Sequence, residues 1–457
     1  MSSPETTSAV PPARHSPGRV AFASFIGTTI EWYDFFIYGI AATLVFRTEF
    51  FPGFSELGGT LAALSTFAVG FVARPVGGVV MGHFGDRVGR KSMLVVSLLT
   101  MGLATTLIGV LPTYDSIGIW APVLLVVLRL AQGVGVGGEW GGAVLMSIEH
   151  APRHRRSLYG CLPQLGLPTG IFVSQLVFLL MSSSMSPESF VSWGWRIPFL
   201  ISAVLIVVGL AIRLTIEESI DFQRVRQIGA IAKTPLVDVF QTSWRQLTVG
   251  GLASIASPAI GYFWSVSMIA YGTSTLQLST TTMLYIVVGL SVPQIAMLLL
   301  AGAAGDRFDR KPTFVVGAAL AVVWAFPMFA LIDTAQVLWV VVGLVPIIAA
   351  NAIMAGAQPA LLTEMFPTQL RYSGASICYQ FGSIVGGGIV PLLTTALLAR
   401  FGTSSAVALL IAGVSVVSLA AILPASRAFL RAGARADAGE DHSRDLSLDQ
   451  KADKTFS

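Results

Sequence analysis

Gly85-Asp86-Arg87-Val88-Gly89-Arg90-Lys91 returns as Gly305-Asp306-Arg307-Phe308-Asp309-Arg310-Lys311, displaced by 220 residues. A second pattern repeats at nearly the same displacement: Glu149, Pro152 and Arg156 come back as Glu364, Pro367 and Arg371, 215 residues on. Both copies of each pattern sit in corresponding gaps between apolar runs. The spacing predicts a tandem duplication of two halves in one orientation, with a site near the midplane between them.

The runs around those gaps set the fold class. The chain has 457 residues, 54% of them hydrophobic and 11% charged, with a mean hydropathy of +0.75. A soluble domain carries about 25% charged residues. Runs of roughly 20 apolar residues suit helices that cross a bilayer. Twelve are expected, at 20–46, 57–82, 92–112, 118–146, 158–182 and 195–216, then 246–271, 281–304, 313–331, 338–362, 373–398 and 406–423. The expected architecture is an all-α membrane protein of twelve transmembrane helices in two six-helix bundles. Residues 1–19 form an N-terminal tail, 20–216 the first half, 217–245 a linker, 246–424 the second half and 425–457 a tail.

The net charge of +4 first suggests a nucleic-acid partner, but placement removes that reading. Arg87, Arg90, Lys91, Arg153, Arg155, Arg156, Arg224, Arg226, Lys233, Arg245, Arg307, Arg310, Lys311 and Arg371 fall in one set of loops, with the basic tail. The opposite set holds Arg47, Arg196 and Arg400. This asymmetry places both termini and the linker in the cytoplasm, and the chain in a cell membrane. The polar first nineteen residues lack the apolar core of a signal peptide. Cys161 and Cys378 both fall within spans, so neither a disulfide framework nor a metal site is expected.

Further stretches carry a family likeness. Gly82 to Lys91 resembles the loop motif of the major facilitator superfamily, and Arg129-Leu130-Ala131-Gln132-Gly133 resembles its fourth-helix motif. Glu31-Trp32-Tyr33-Asp34-Phe35, the run Gly137 to Gly142, and Ser192 to Pro198 resemble the metabolite:H⁺ symporter family. That family includes shikimate, 2-oxoglutarate, citrate and proline/betaine transporters, and the stretch from Phe46 to Lys91 is most similar to its shikimate-type branch. The resemblance implies uptake of a small metabolite, such as an organic acid, with protons. It also implies that Asp86 with Arg90 and Lys91 forms an inner gate.

Ionisable residues inside a span cost roughly 2.5–3.5 kcal/mol each on insertion scales, so they point to function. Glu31 and Asp34 share one face of the first span, ~16 and ~21 Å into the bilayer by helical rise, and Tyr38 continues that face. Arg129 reaches similar depth on the fourth span. Two neighbouring carboxylates favour holding a proton on one of them. Glu31, Asp34 and Arg129 are therefore expected to couple protons, with Arg129 as counter-charge or as the grip on a substrate carboxylate. A static ion pair joining helices is the competing reading. Tyr38, Tyr262, Trp264, Gln294 and Tyr379 are candidate substrate contacts, with Tyr271, Asn351 and Gln380 as further lining. Such residues also serve as interhelical hydrogen bonds.

Glu139 is expected to pair with a basic residue such as Arg90. Glu149 with Arg156 and Glu364 with Arg371 are expected as matching pairs, beside Gly85, Asp306 and Arg310. Arg74, placed near the end of the second span, either snorkels or pairs with an acid. The glycine run 133–142 has no preceding strand, so it fits helix packing and not dinucleotide binding. No nucleotide motif, catalytic dyad or cofactor site is visible. Energy then comes from an ion gradient, where one charge crossing 100 mV supports a roughly fifty-fold gradient. Symport of a zwitterion such as proline or betaine is one alternative. Efflux by antiport is the other, faintly suggested by Gly160, Gly166, Pro168 and Gly170.

Overall fold

The computed structural model describes residues 16–433 except 217, 219–221 and 224–234. Most of the N-terminal tail, Arg224, Arg226 and Lys233 of the linker, and the tail beyond residue 433 lie outside the described residues. Each half supplies six spans. The first span is the helix Pro17–Ala41 prolonged by a π-turn, Ala42–Phe46. Glu56–Val88, Arg90–Val110 and Trp120–Glu149 follow as the second to fourth. The fifth is broken into Arg156–Cys161 and Gly166–Ser184 around a 3₁₀ turn, and the sixth is Arg196–Thr215.

The seventh span runs through Trp244–Ala253, Ala256–Tyr262, a π-turn at Phe263–Ser267, and Met268–Ser274. Thr280–Phe308, Arg310–Ile332 and Val337–Glu364 are the eighth to tenth. The eleventh is Arg371–Ser383, a π-turn at Ile384–Ile389, and Val390–Phe401, and the twelfth is Ser404–Ile422. Among the described residues, eleven helices are long and apolar enough to cross a membrane. The first span falls short because Glu31 and Asp34 interrupt its apolar run. Val72, Leu300 and Val323 are each at least 70% exposed, an outward apolar surface that suits lipid and not water.

The expected loop after the second span is a single residue. Gly85 to Val88 form the last helical turn, and Gly89 alone turns the chain at φ 128° before Arg90 starts the next helix. A side chain there would run into the Glu218 carboxylate, so glycine is required. At the equivalent joint stands Asp309, at φ 78°, whose carboxylate accepts from the Arg310 N–H at 2.8 Å. Because the second span extends to Val88, Arg74 lies about 21 Å from its end by helical rise, well inside the helix. The expectation that Arg74 sits near the span's end is corrected accordingly.

Backbone contact explains the glycine run. A Cβ at Gly77 would strike the Val134 carbonyl, one at Gly137 the Arg74 carbonyl, and one at Gly133 the Gly70 carbonyl. The second and fourth spans thus meet backbone to backbone, as small residues permit. Two seams join the halves. Helix Arg371–Ser383 packs on Glu56–Val88, and helices Arg156–Cys161 and Gly166–Ser184 pack on Thr280–Phe308.

Candidate functional site

Between the halves lies a narrow cavity of about 40 Å³. The first half contributes Trp32, Gln164 and Leu167; the second contributes Ser257, Tyr262, Ser265, Gln294, Asn351 and Tyr379, among others. The polar groups are held in place by local bonds. Asn351 donates to the Ser257 carbonyl at 2.6 Å and accepts from Gln294 at 3.0 Å. The Trp140 ring stacks on Tyr379 across the seam at 3.8 Å, with its Nε1 donating to Gln164 at 2.9 Å. Neutral hydrogen-bonding groups and flat rings therefore face the space, which suits a small polar solute.

Buried charge surrounds the first-half wall. Glu31 is 4% exposed and makes no hydrogen bond or ion pair among the described residues. The charges of Arg74, Arg213 and Asp34 act on it. Asp34 is wholly buried; its Oδ1 accepts from Ser202 at 2.5 Å, and its Oδ2 has no partner. Arg74 donates to the Tyr262 hydroxyl of the other half at 3.3 Å. Its guanidinium lies 4.2 Å from the Phe35 ring centre, 4.7 Å from Phe71 and 5.2 Å from Trp32. Its Nε and Nη2 have no partner.

Arg129 is not the counter-charge of Glu31 or Asp34. Asp34 turns toward the sixth span, while the Arg129 guanidinium sits against Phe35, Tyr38 and Phe67 at 4.1–4.9 Å and donates to Gln132. Ring faces meet that charge where a carboxylate was expected. Tyr38 does not line the cavity: it is fully buried and bonds Thr66 at 2.6 Å. Trp264 is likewise fully buried, in the core of the second half. Tyr262, Gln294, Asn351 and Tyr379 do line the cavity. Gln380 instead bonds the Gly137 carbonyl across the seam, and Tyr271 bonds Asp333.

The repeated motifs meet across the halves. Asp86 accepts from the Tyr372 and Ser373 N–H groups at 3.3 and 3.0 Å, and from the Ser373 hydroxyl at 2.8 Å. Its repeat partner Asp306 accepts from the Ser157 and Leu158 N–H groups at 2.8 and 2.9 Å. Each carboxylate thus satisfies the free donors at the start of a helix in the opposite half, where the helix dipole favours negative charge. Gly85 leaves room for the Tyr372 ring. This end of the molecule is shut.

The expected charge pairs are re-dealt. Glu149 meets Arg90 at 3.5 Å and Arg371 at 3.6 Å, and Arg90 approaches Asp86 at 3.9 Å. Glu364 meets Arg310 at 3.1 Å, and Arg156 acts on its charge. Glu149 therefore pairs within its half with Arg90 and across the seam with Arg371, while Glu364 pairs with Arg310 of its own half and feels the charge of Arg156 from the other. Lys91 stands apart from this network; its ammonium caps the Leu214 carbonyl at 2.9 Å, as Lys311 caps Leu423 and Ala425 at 2.8 Å. Glu139 pairs with Arg213 and not with Arg90, and accepts from Ser97 at 3.2 Å. In the sequence Arg213 reads as a topology anchor, because it lies in the last turn of the sixth span. It reaches inward past Gly27, whose missing side chain leaves the room. Among the described residues, no three His, Cys, Asp or Glu side chains are placed to hold a metal.

Residues 20–234 match the family described as sugar (and other) transporters, and 249–445 match the major facilitator superfamily. The chain is 40% identical to the inner membrane metabolite transport protein YhjE of Escherichia coli K12, over 90% of its own length and 94% of that protein. It is also 40% identical to the shikimate transporter of the same strain, over 89% of its length and 94% of the relative. The proton:xylose symporter XylE, solved with 6-bromo-6-deoxy-D-glucose, superposes with a TM-score of 0.72 at 17% identity, covering 89% and 94% of the two chains. That likeness concerns the fold alone.

Proposed function

This chain belongs to the major facilitator superfamily, among its transporters of small metabolites, and from that premise we propose that it takes up an organic acid in symport with protons. One observation carries this reading: Glu31 and Asp34 lie buried at mid-span, Glu31 close enough for its charge to act on the cavity residues Tyr262 and Tyr379, and neither has an ion pair of its own. A carboxylate held so has to exchange its charge for a proton or find a cation. A proton on Glu31 or Asp34, and a substrate in the cavity, are then linked through the charges around them. Arg129, set in aromatic rings beside Gln132, belongs to the same electrostatic field as a fixed charge.

The shut end bears the basic loops, so it faces the cytoplasm under this reading, with both termini. The latches of Asp86 with Tyr372 and Ser373, and of Asp306 with Ser157 and Leu158, part when the halves rock and release substrate inward. Glu149, Arg90 and Arg371, with Glu364, Arg310 and Arg156, open with them. The aromatic walls Trp32, Tyr262 and Tyr379 also suit a quaternary ammonium, which favours a betaine-like zwitterion as the second reading.

The test is uptake of labelled shikimate, 2-oxoglutarate, citrate, proline and glycine betaine by expressing cells, with and without a protonophore. Accumulation that collapses with the protonophore is expected. Glu31→Gln and Asp34→Asn, made separately, are expected to abolish accumulation while folded protein stays in the membrane. Normal accumulation by both variants would sink the coupling assignment.

A further inference from the structure

We infer that the Arg74 guanidinium anchors the substrate's carboxylate, and that one proton accompanies each carboxylate so that a monoanion is carried without net charge movement. This rests on the symport reading above. Six charged side chains lie buried in the first half away from the latch among the described residues: Glu31, Asp34 and Glu139 against Arg74, Arg129 and Arg213. Arg213 and Glu139 neutralise each other directly. The buried charges of the latch (Asp86, Glu149, Arg90 and Arg371) balance among themselves. The interior is therefore neutral with both Glu31 and Asp34 ionised. One proton on either leaves one positive charge uncompensated in a medium that penalises it. A monocarboxylate restores neutrality; a zwitterion leaves the excess, and a dianion reverses it.

Two cations compete for the role, and geometry separates them. Arg129 is enclosed by Phe35, Tyr38, Phe67 and Gln132, all from the first half and none of them lining the cavity. Arg74 lies directly behind the cavity wall. It bonds Tyr262 of the second half and lies near the Trp32 ring, and both residues line the space. Its Nε and Nη2 are buried with no partner, which leaves two donors for the two oxygens of a carboxylate. Glu31 belongs to the same neighbourhood: the charges of Arg74, Arg213 and Asp34 act on it, and its own charge acts on Tyr262 and Tyr379. When Glu31 takes a proton, Arg74 exchanges that counter-charge for the substrate's.

The experiment uses the full chain in proteoliposomes with the same five labelled solutes, under a fixed inward proton gradient and a valinomycin clamp. Shikimate, the monoanion of the panel, is expected to accumulate to the same ratio with and without about 100 mV, inside negative; one net positive charge would raise the ratio about fifty-fold. Shikimate and its carboxamide then compete in wild type and variants. Arg74→Gln is expected to lose the carboxylate's advantage by about 10- to 100-fold, the worth of a charged hydrogen bond. Arg74→Lys keeps the charge, recovers part of that advantage, and separates anchoring from misfolding. Potential-driven uptake, or accumulation of 2-oxoglutarate, citrate, proline or betaine instead, overturns this inference and leaves symport standing. Loss of carboxylate preference in Arg129→Gln but not in Arg74→Gln overturns the anchor. If none of the five solutes is taken up, both the symport reading and this inference fall.

Discussion

Replacing Arg213 by alanine is expected to destabilise the first half more than any other single change among its buried charges. Glu139 is wholly buried, and its two oxygens have one partner each, Arg213 and the Ser97 hydroxyl at 3.2 Å. Arg213 also donates to the Leu94 carbonyl. Its removal strands a carboxylate on one neutral hydrogen bond, worth about 3–5 kcal/mol of lost stability. The orphaned carbonyl adds about 1 kcal/mol. Removing both charges with Glu139→Gln and Arg213→Met leaves no buried ion, so the double variant is expected within about 2 kcal/mol of wild type. The assay is reversible unfolding in mixed micelles, read as a double-mutant cycle with the Glu139→Gln single. A double variant as unstable as Arg213→Ala would refute the reasoning, because the cost would then come from packing and not from unpaired charge.

Other outcomes follow from the same contacts. Asp306→Asn weakens the grip on the Ser157 and Leu158 N–H groups one turn before buried Cys161, so alkylation of Cys161 by a permeant maleimide is expected to quicken about ten-fold (a local opening cost near 1.4 kcal/mol), with Cys378 unchanged. Equal acceleration at both thiols would point to global loosening. Gly77→Ala sets a methyl against the Val134 carbonyl, and about 2–3 kcal/mol of overpacking is expected as lost monodisperse yield, whereas Gly413→Ala, with open space around it, leaves yield unchanged. Asn351→Ala frees the Ser257 carbonyl and Gln294 beside the cavity. It is expected to raise KM about ten-fold with little change in expression; unchanged KM would remove the amide pair from the substrate site.

The duplication and the spans were legible because hydropathy and motif spacing are local. The twofold Gly-Asp-Arg pattern located both joints, and Tyr262, Gln294, Asn351 and Tyr379 emerged as cavity lining from polarity at depth. Partnership was not legible. Glu149 and Arg156 share a loop, but which acid meets which base depends on how the halves dock, and docking pairs Glu149 with Arg371. Arg129 matched a motif and had the right depth, yet side-chain direction on the fourth helix sends it into Phe35, Tyr38 and Phe67. The depth of Arg74 is hidden in the sequence because the second helix runs on past the apolar run to Val88. Tyr38 and Trp264 share the composition of lining residues and differ only in the way they face.

The two joints and their carboxylates give the halves unequal fastenings. At the seam of the second and eleventh spans, Arg90, Glu149 and Arg371 are at most 5% exposed and Asp86 holds three donors. At the seam of the fifth and eighth, Arg310 and Glu364 are 13% and 14% exposed and Asp306 holds two backbone donors. Water already reaches the charges beside the second fastening, which weakens the electrostatic hold there. The wetter seam is then expected to yield first when the halves part, with the drier one as the spine, so that two copies of one motif come to act in a set order.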